Sequence, residues 1–186
     1  MTSMQLTNQY LIAMPQMEDP NFHHTTTYIC EHNNEGAMGL IINRPLELNL
    51  SEILEQIDIK VSEPLLSEMP VYYGGPVQEE RGFVLHPPEG QWESTVTITE
   101  QLAITTSKDI LINIAEGQGP KQFIVTLGYA GWGAGQLEQE LAANAWLNGP
   151  ADTSIIFDTP VDERWSAAAK TMGIDLSLLS GESGHA

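Results

Sequence analysis

Two rhythms of apolar and polar residues run along the chain. Stretches rich in β-branched and aromatic residues, bounded by turn-forming residues, predict strands over 25–31, 37–43, 71–73, 82–86, 95–99 and 102–105. The runs 123–127 and 154–157 lack the alternation of a half-solvated strand and predict strands buried on both faces. A shorter apolar run, 10–13, stops before Pro15. His32-Asn33-Asn34-Glu35-Gly36 suits a hairpin with a longer loop between the first two strands, and 74–81 reads as a loop before 82–86.

The second rhythm is helical. Leu50, Ile53, Leu54 and Ile57 fall at i, i+3, i+4 and i+7, and Asn49 with Glu52 forms a capping pair at the start of that face. Ser107 precedes a helical face of Ile110, Leu111 and Ile114 that ends near Gly117 and Gly119. Leu137, Leu141 and Ala145 are spaced by four, and Trp165, Ala168, Ala169 and Met172 make a last face closed by Gly173. Hairpins fill the first half, and strands alternate with helices in the second. The fold class expected is α+β: one compact domain over 1–186, a mixed β-sheet with helices packed on it, and a loosely ordered tail from about 180 to 186.

Composition narrows the function. The 186 residues suit one domain, and 41% apolar content is ordinary for a globular core. Seven basic residues stand against 25 acidic ones, a net charge of −18. The cations, Arg44, Lys60, Arg81, Lys108, Lys121, Arg164 and Lys170, are scattered, whereas nucleic-acid binding needs them clustered. Direct nucleic-acid binding and attachment to an anionic membrane are therefore not expected. The lone cysteine, Cys30, excludes an intrachain disulfide, and the first ten residues have no export-signal pattern. The expected compartment is the cytoplasm.

Candidate chemistry is sparse. Residues 128–135 form a glycine-rich stretch, expected to be a loop between strand and helix, where backbone N–H groups can hold an anion. It lacks the Lys and Ser or Thr of a phosphate loop and the glycine spacing of a dinucleotide fold. Cys30 and His32, two apart on a strand, are expected to share a face, and with Asp19 they are the candidates for thiolate catalysis in a small hydrolase or transferase. His23 and His24, read as strand neighbours pointing to opposite faces, make a poor chelate; no metal or cofactor is expected. Glu138 and Glu140 do not face each other as an acid–base pair. The stripes 50–57 and 165–172 read as core-facing, with a groove for a partner helix as the sharper alternative.

Several runs carry a family resemblance. They include Ala13-Met14-Pro15, Glu31-His32-Asn33, Gly36-Ala37-Met38-Gly39, Asn43-Arg44-Pro45, Gly74-Gly75-Pro76-Val77 and Gly82-Phe83-Val84-Leu85-His86. The most specific are Leu127-Gly128-Tyr129-Ala130-Gly131-Trp132, Gly135-Gln136-Leu137-Glu138, Asn144-Ala145-Trp146-Leu147 and Gly184-His185-Ala186. In this order, over nearly the whole chain, they resemble the YqgE/AlgH family of bacterial proteins. The resemblance implies a single-domain cytosolic protein with a mixed sheet and helices, of a largely uncharacterised family in which one member, linked to alginate production, is described as a transcriptional regulator. It brings no catalytic residue, metal or cofactor with it. The charge opposes direct DNA contact, so regulation is expected to run through an unknown protein or small-molecule partner. His32, Asn43, Arg44, Gly75, His86, Tyr129, Trp132 and Gln136 are motif residues that a core does not require, and they are expected to line its cleft.

Overall fold

The computed structural model describes residues 5–179; the tail expected from about 180 to 186 lies outside them. The elements run β1 (Gln9–Ala13), β2 (Thr26–Asn33), β3 (Gly36–Ile41), β4 (Pro45–Asn49), α1 (Leu50–Gln56), β5 (Pro70–Tyr73), β6 (Val77–His86) and β7 (Thr95–Thr97). Then come β8 (Ala103–Thr105), α2 (Lys108–Ala115), β9 (Ile124–Gly133), α3 (Gln136–Ala142), β10 (Trp146–Pro150), α4 (Thr153–Phe157) and α5 (Arg164–Lys170).

Strand β9 is the spine of a mixed sheet ordered β10-β1-β2-β3-β9-β6-β8-β7. One edge of β9 carries β5, in parallel at Tyr72–Thr126 and Tyr73–Leu127, and then β3, antiparallel from Gly39–Ala130 to Gly36–Gly133. Its other edge carries β6, from Leu85–Ile124 to Gly82–Leu127 and again at Val77–Tyr129. Strand β4 extends the sheet from β5.

This arrangement explains a glycine motif. Strands β5 and β6 flank β9 but are joined by only Gly74-Gly75-Pro76, so the chain crosses directly over β9. A Cβ on Gly75 would stand 2.1 Å from the Tyr129 carbonyl carbon, and one on Gly74 would stand 2.3 Å from the Gly128 oxygen. Gly75 and Gly128 also have φ of +155° and +78°, a region L side chains avoid.

Three apolar clusters fix the layers. Tyr10, Tyr28, Leu40, Phe83, Leu85 and Ile104 line one side of the sheet and receive Ile155, Ile156, Ala168 and Ala169 of α4 and α5. On the other side, Leu50 and Leu54 of α1 and Ile110 and Ile114 of α2 cover Val71, Val84 and Val125. Further along, Leu137 of α3 packs with Leu11, Ile29, Ala130, Trp132 and Trp146.

The α+β class, the capping box and most elements match expectation. Asn49 Oδ1 accepts from Glu52 N, and the Glu52 carboxylate accepts from Asn49 N. Four local readings differ. The first hairpin is tight: Asn33 pairs with Gly36, and Asn33 Oδ1 accepts from Glu35 N at 2.7 Å. The glycine-rich stretch is strand as far as Gly133, because β3 pairs along it and Gly128 serves the close approach of the crossing at Gly75 rather than a loop. The loop read at 74–81 is already strand from Val77, with an irregular register between Val77 and Gly82. Residues 154–157 are helix: Asp152 accepts from Ser154 N at 3.0 Å, and this N-cap overrides the strand propensity of the isoleucines.

Candidate functional site

An open groove of about 960 Å³ lies on the α4–α5 side of the sheet, beyond those helices. The β2–β3 hairpin walls one side with Glu31, Asn33 and Glu35; the β7 region walls the other with Val96, Thr97 and Ile98. The floor is Cys30, Met38, Phe83, Ile104, Tyr129 and Gly131. Phe83 and Tyr129 meet edge to face at 5.8 Å, and the Arg81 guanidinium lies 5.3 Å above the Phe83 ring. The site is thus an apolar, aromatic floor between a polar hairpin wall and a mostly apolar β7 wall.

Cys30 and His32 do not share a face. The β2–β3 register jumps from Ile29–Gly39 to Glu31–Met38, leaving Cys30 as the extra residue of a bulge. Cys30 therefore packs with Tyr28 and Met38, on the groove side. Beyond the bulge the alternation is inverted, and His32 points to the α3 side. Its Nδ1 accepts from Leu6 N at 3.1 Å, which puts the proton of the neutral ring on Nε2. That Nε2 stands 3.2 Å from Glu138 Oε2, close enough for an ion pair but poorly angled for a hydrogen bond. Burial, aided by Glu31, pushes the Cys30 thiol well above its ordinary pKa, so it stays protonated at neutral pH. Asp19 is committed to its own loop, where its carboxylate accepts from Asn21 N at 2.9 Å.

The eight expected cleft residues separate into distinct places. Tyr129 and Trp132 line the groove. Gly75 makes the backbone crossing beside Tyr129. Asn43 and Arg44 bind the preceding loop: Arg44 donates to the carbonyls of Pro20, Asn21 and His23, and Asn43 bridges Thr26 N and the His24 carbonyl. His86 is fully buried between Thr105 and the Pro87 carbonyl. Gln136 accepts from Gly133 N at 2.9 Å and donates to Glu140, whose carboxylate also takes the indole protons of Trp132 and Trp146. His23 and His24 belong to that bound loop, not to a strand; their rings stack at 3.9 Å, and His24 stacks on Trp165 at 3.9 Å. Among the described residues, no three His, Cys, Asp or Glu side chains converge to hold a metal ion.

The profile of the AlgH-like family matches residues 10–177. This chain belongs to the AlgH-like family. A UPF0301 protein of Thioalkalivibrio sulfidiphilus is 58% identical over 184 residues, covering 99% of this chain and 98% of that one. The solution structure of the AlgH protein from Pseudomonas aeruginosa is 52% identical, with a TM-score of 0.81 over 100% of this chain and 98% of that one. A crystal structure from Corynebacterium diphtheriae shares the fold alone, with a TM-score of 0.73 at 18% identity over 97% of this chain and 94% of that one. In this AlgH-like chain the sequence reading missed Met38, Arg81, Phe83, Val96, Ile98 and Ile104 as groove residues. The alternation of Arg81, Phe83 and Leu85 was legible; which of its faces stays uncovered depends on where α4 and α5 end.

Proposed function

We propose that this AlgH-like protein is a non-enzymatic regulator of the bacterial cytoplasm that acts through a protein or small-molecule partner received in the groove. The observation that carries the reading is the groove itself: an aromatic, apolar floor left uncovered beside α4 and α5. Its one thiol is held protonated, and His32 lies across the sheet from it, so recognition suits the groove better than nucleophilic chemistry. Any effect on transcription then runs through that partner, since a chain of net charge −18 repels DNA. Among the described residues, no helix is long and apolar enough to cross a membrane.

Native mass spectrometry of protein gently purified from its own cytosol tests the reading. Glu35 and Val96 are exposed on the two groove walls, so Glu35→Lys with Val96→Lys should leave the fold intact while changing the charge and removing the apolar contact that a partner meets. The wild type should retain a companion mass that this variant loses. A companion retained equally by both overturns the groove as the partner site.

A further inference from the structure

The sheet has an open edge inside the groove. In β3, Ile41 N donates to the Gly74 carbonyl, so Ile41 and, by alternation, Gly39 and Ala37 turn their backbone groups toward β9 and β5. Their partners Ala130 and Trp132 turn back toward β3. Gly131 and Gly133 therefore aim their N–H and C=O groups at the opposite edge. The Gly133 N–H shows this directly, since it donates to the Gln136 side chain at 2.9 Å rather than to β3. On that edge β6 ends at Val77, opposite Tyr129. Gly131 is exposed, lines the groove, and has no strand beside it among the described residues.

We infer that the edge of β9 at Gly131–Gly133 receives an extended, basic peptide segment of a protein partner, which adds to the sheet as a further strand. This rests on the groove being the partner site. A strand laid there continues the line of β6, pairs its backbone with Gly131, and sets alternate side chains on Tyr129, Phe83 and Met38. Gly131 suits the approach: a Cβ there would meet Tyr129 at 3.5 Å, so the bare backbone leaves room over the floor. Gln136 covers the Gly133 N–H as a strand carbonyl would, and swings aside when a real one arrives.

Charge selects the occupant. Glu31 and Glu35 stand on the hairpin wall, and Arg81 is the one cation among the lining residues, held over Phe83. With −18 on the whole chain, the groove attracts a basic segment. A second copy would bring a further −18, which disfavours this chain as its own occupant.

The test titrates the ¹⁵N-labelled full chain with an octapeptide alternating valine and lysine, in both registers, and with its valine–glutamate counterpart. The lysine peptide should slow exchange of the Gly131 amide about tenfold or more at saturation. N-methylation of one alternate set of its amides should abolish binding, and methylation of the other set should not. Gln136→Ala, which leaves Gly133 N uncovered, should tighten binding. Equal binding of the glutamate peptide overturns the charge selection. Binding without Gly131 protection, and indifferent to both methylated sets, overturns strand addition. Absence of binding to millimolar peptide overturns the inference too, yet leaves the groove reading standing if Glu35→Lys with Val96→Lys still loses the native companion.

Discussion

His86 ends a hydrogen-bond chain whose directions are all determined. The Pro87 carbonyl can only accept, at 2.6 Å, so Nδ1 carries the proton and Nε2 accepts from the Thr105 hydroxyl at 2.7 Å. Thr105 has then spent its proton and accepts from Thr95 at 2.8 Å, which in turn accepts from Trp92 N at 2.9 Å. The network pins residues 87–95 to β6 and β8, and burial lowers the His86 pKa below 6.5. Above pH 6.5 folded and unfolded rings are both neutral. As pH falls below it, the unfolded ring takes up a proton that the folded ring resists, so stability is lost down through the folded pKa. Urea unfolding across this range should show that decline, and His86→Gln should flatten it; His24, also lowered by burial, keeps its share in both. Thr105→Val strips a buried imidazole of its donor and should cost about 1–3 kcal/mol at neutral pH. Cys30 gives a second prediction at this scale. With its pKa raised, the thiol should react with iodoacetamide at pH 7 at least tenfold more slowly than a free cysteine of pKa about 8.5. Fast alkylation would restore thiolate chemistry as a live function.

Among the elements, β9 and the segment that crosses it carry two kinds of glycine, and they should respond oppositely to one methyl group. Gly75→Ala drives a Cβ into the β9 backbone at 2.1 Å with φ at +155°, and neither strand can give without breaking the crossing. It should cost more than about 4 kcal/mol, or prevent folding. Gly131→Ala meets only ordinary contacts, at 3.5 Å and 3.8 Å, and should stay within about 1 kcal/mol of wild type in the same urea titration. The contrast also measures what was legible in sequence. The capping box at Asn49 and the face of Leu50 and Leu54 are local patterns, and they read correctly. The stretch 128–133 misread as a loop because its causes are non-local: Gly128 answers a crossing segment about 50 residues earlier in the chain, and the residues after it pair with β3, which no periodicity reveals. The bulge at Cys30 is equally hidden, since one extra residue inverts a face without leaving a mark in composition. Asn43 and Arg44 were singled out as cleft residues because core packing does not require them, but the carbonyls they bind belong to a loop some 20 residues away, so polarity pointed to a ligand where the fold supplies the partner.

At the scale of the whole molecule, the charge pattern decides which partners are open to it. Of the seven cations, Arg44 is spent on three loop carbonyls. Arg164 is buried, donates to the carbonyls of Thr159 and Ile42, and lies 5.0 Å over the Tyr72 ring. Lys60, Arg81, Lys108, Lys121 and Lys170 remain, on separate elements and loops. Binding to duplex DNA draws its affinity from neutralised phosphates, and a protein reaching six to ten of them binds even random sequence with a Kd of about 10⁻⁴–10⁻⁶ M. Scattered cations on a chain of net charge −18 cannot supply that contact, and lowering the salt lengthens the range of the repulsion instead of strengthening an attraction. The anisotropy of a fluorescent duplex should therefore stay flat up to about 100 μM protein, even at about 20 mM salt, where a non-specific DNA binder saturates. A rise that weakens steeply with added salt would mean that these five cations converge on phosphate after all, and regulation would then be direct. The peptide predicted at the β9 edge has the opposite sign of charge, so its association should slow as salt is added while duplex DNA stays unbound throughout.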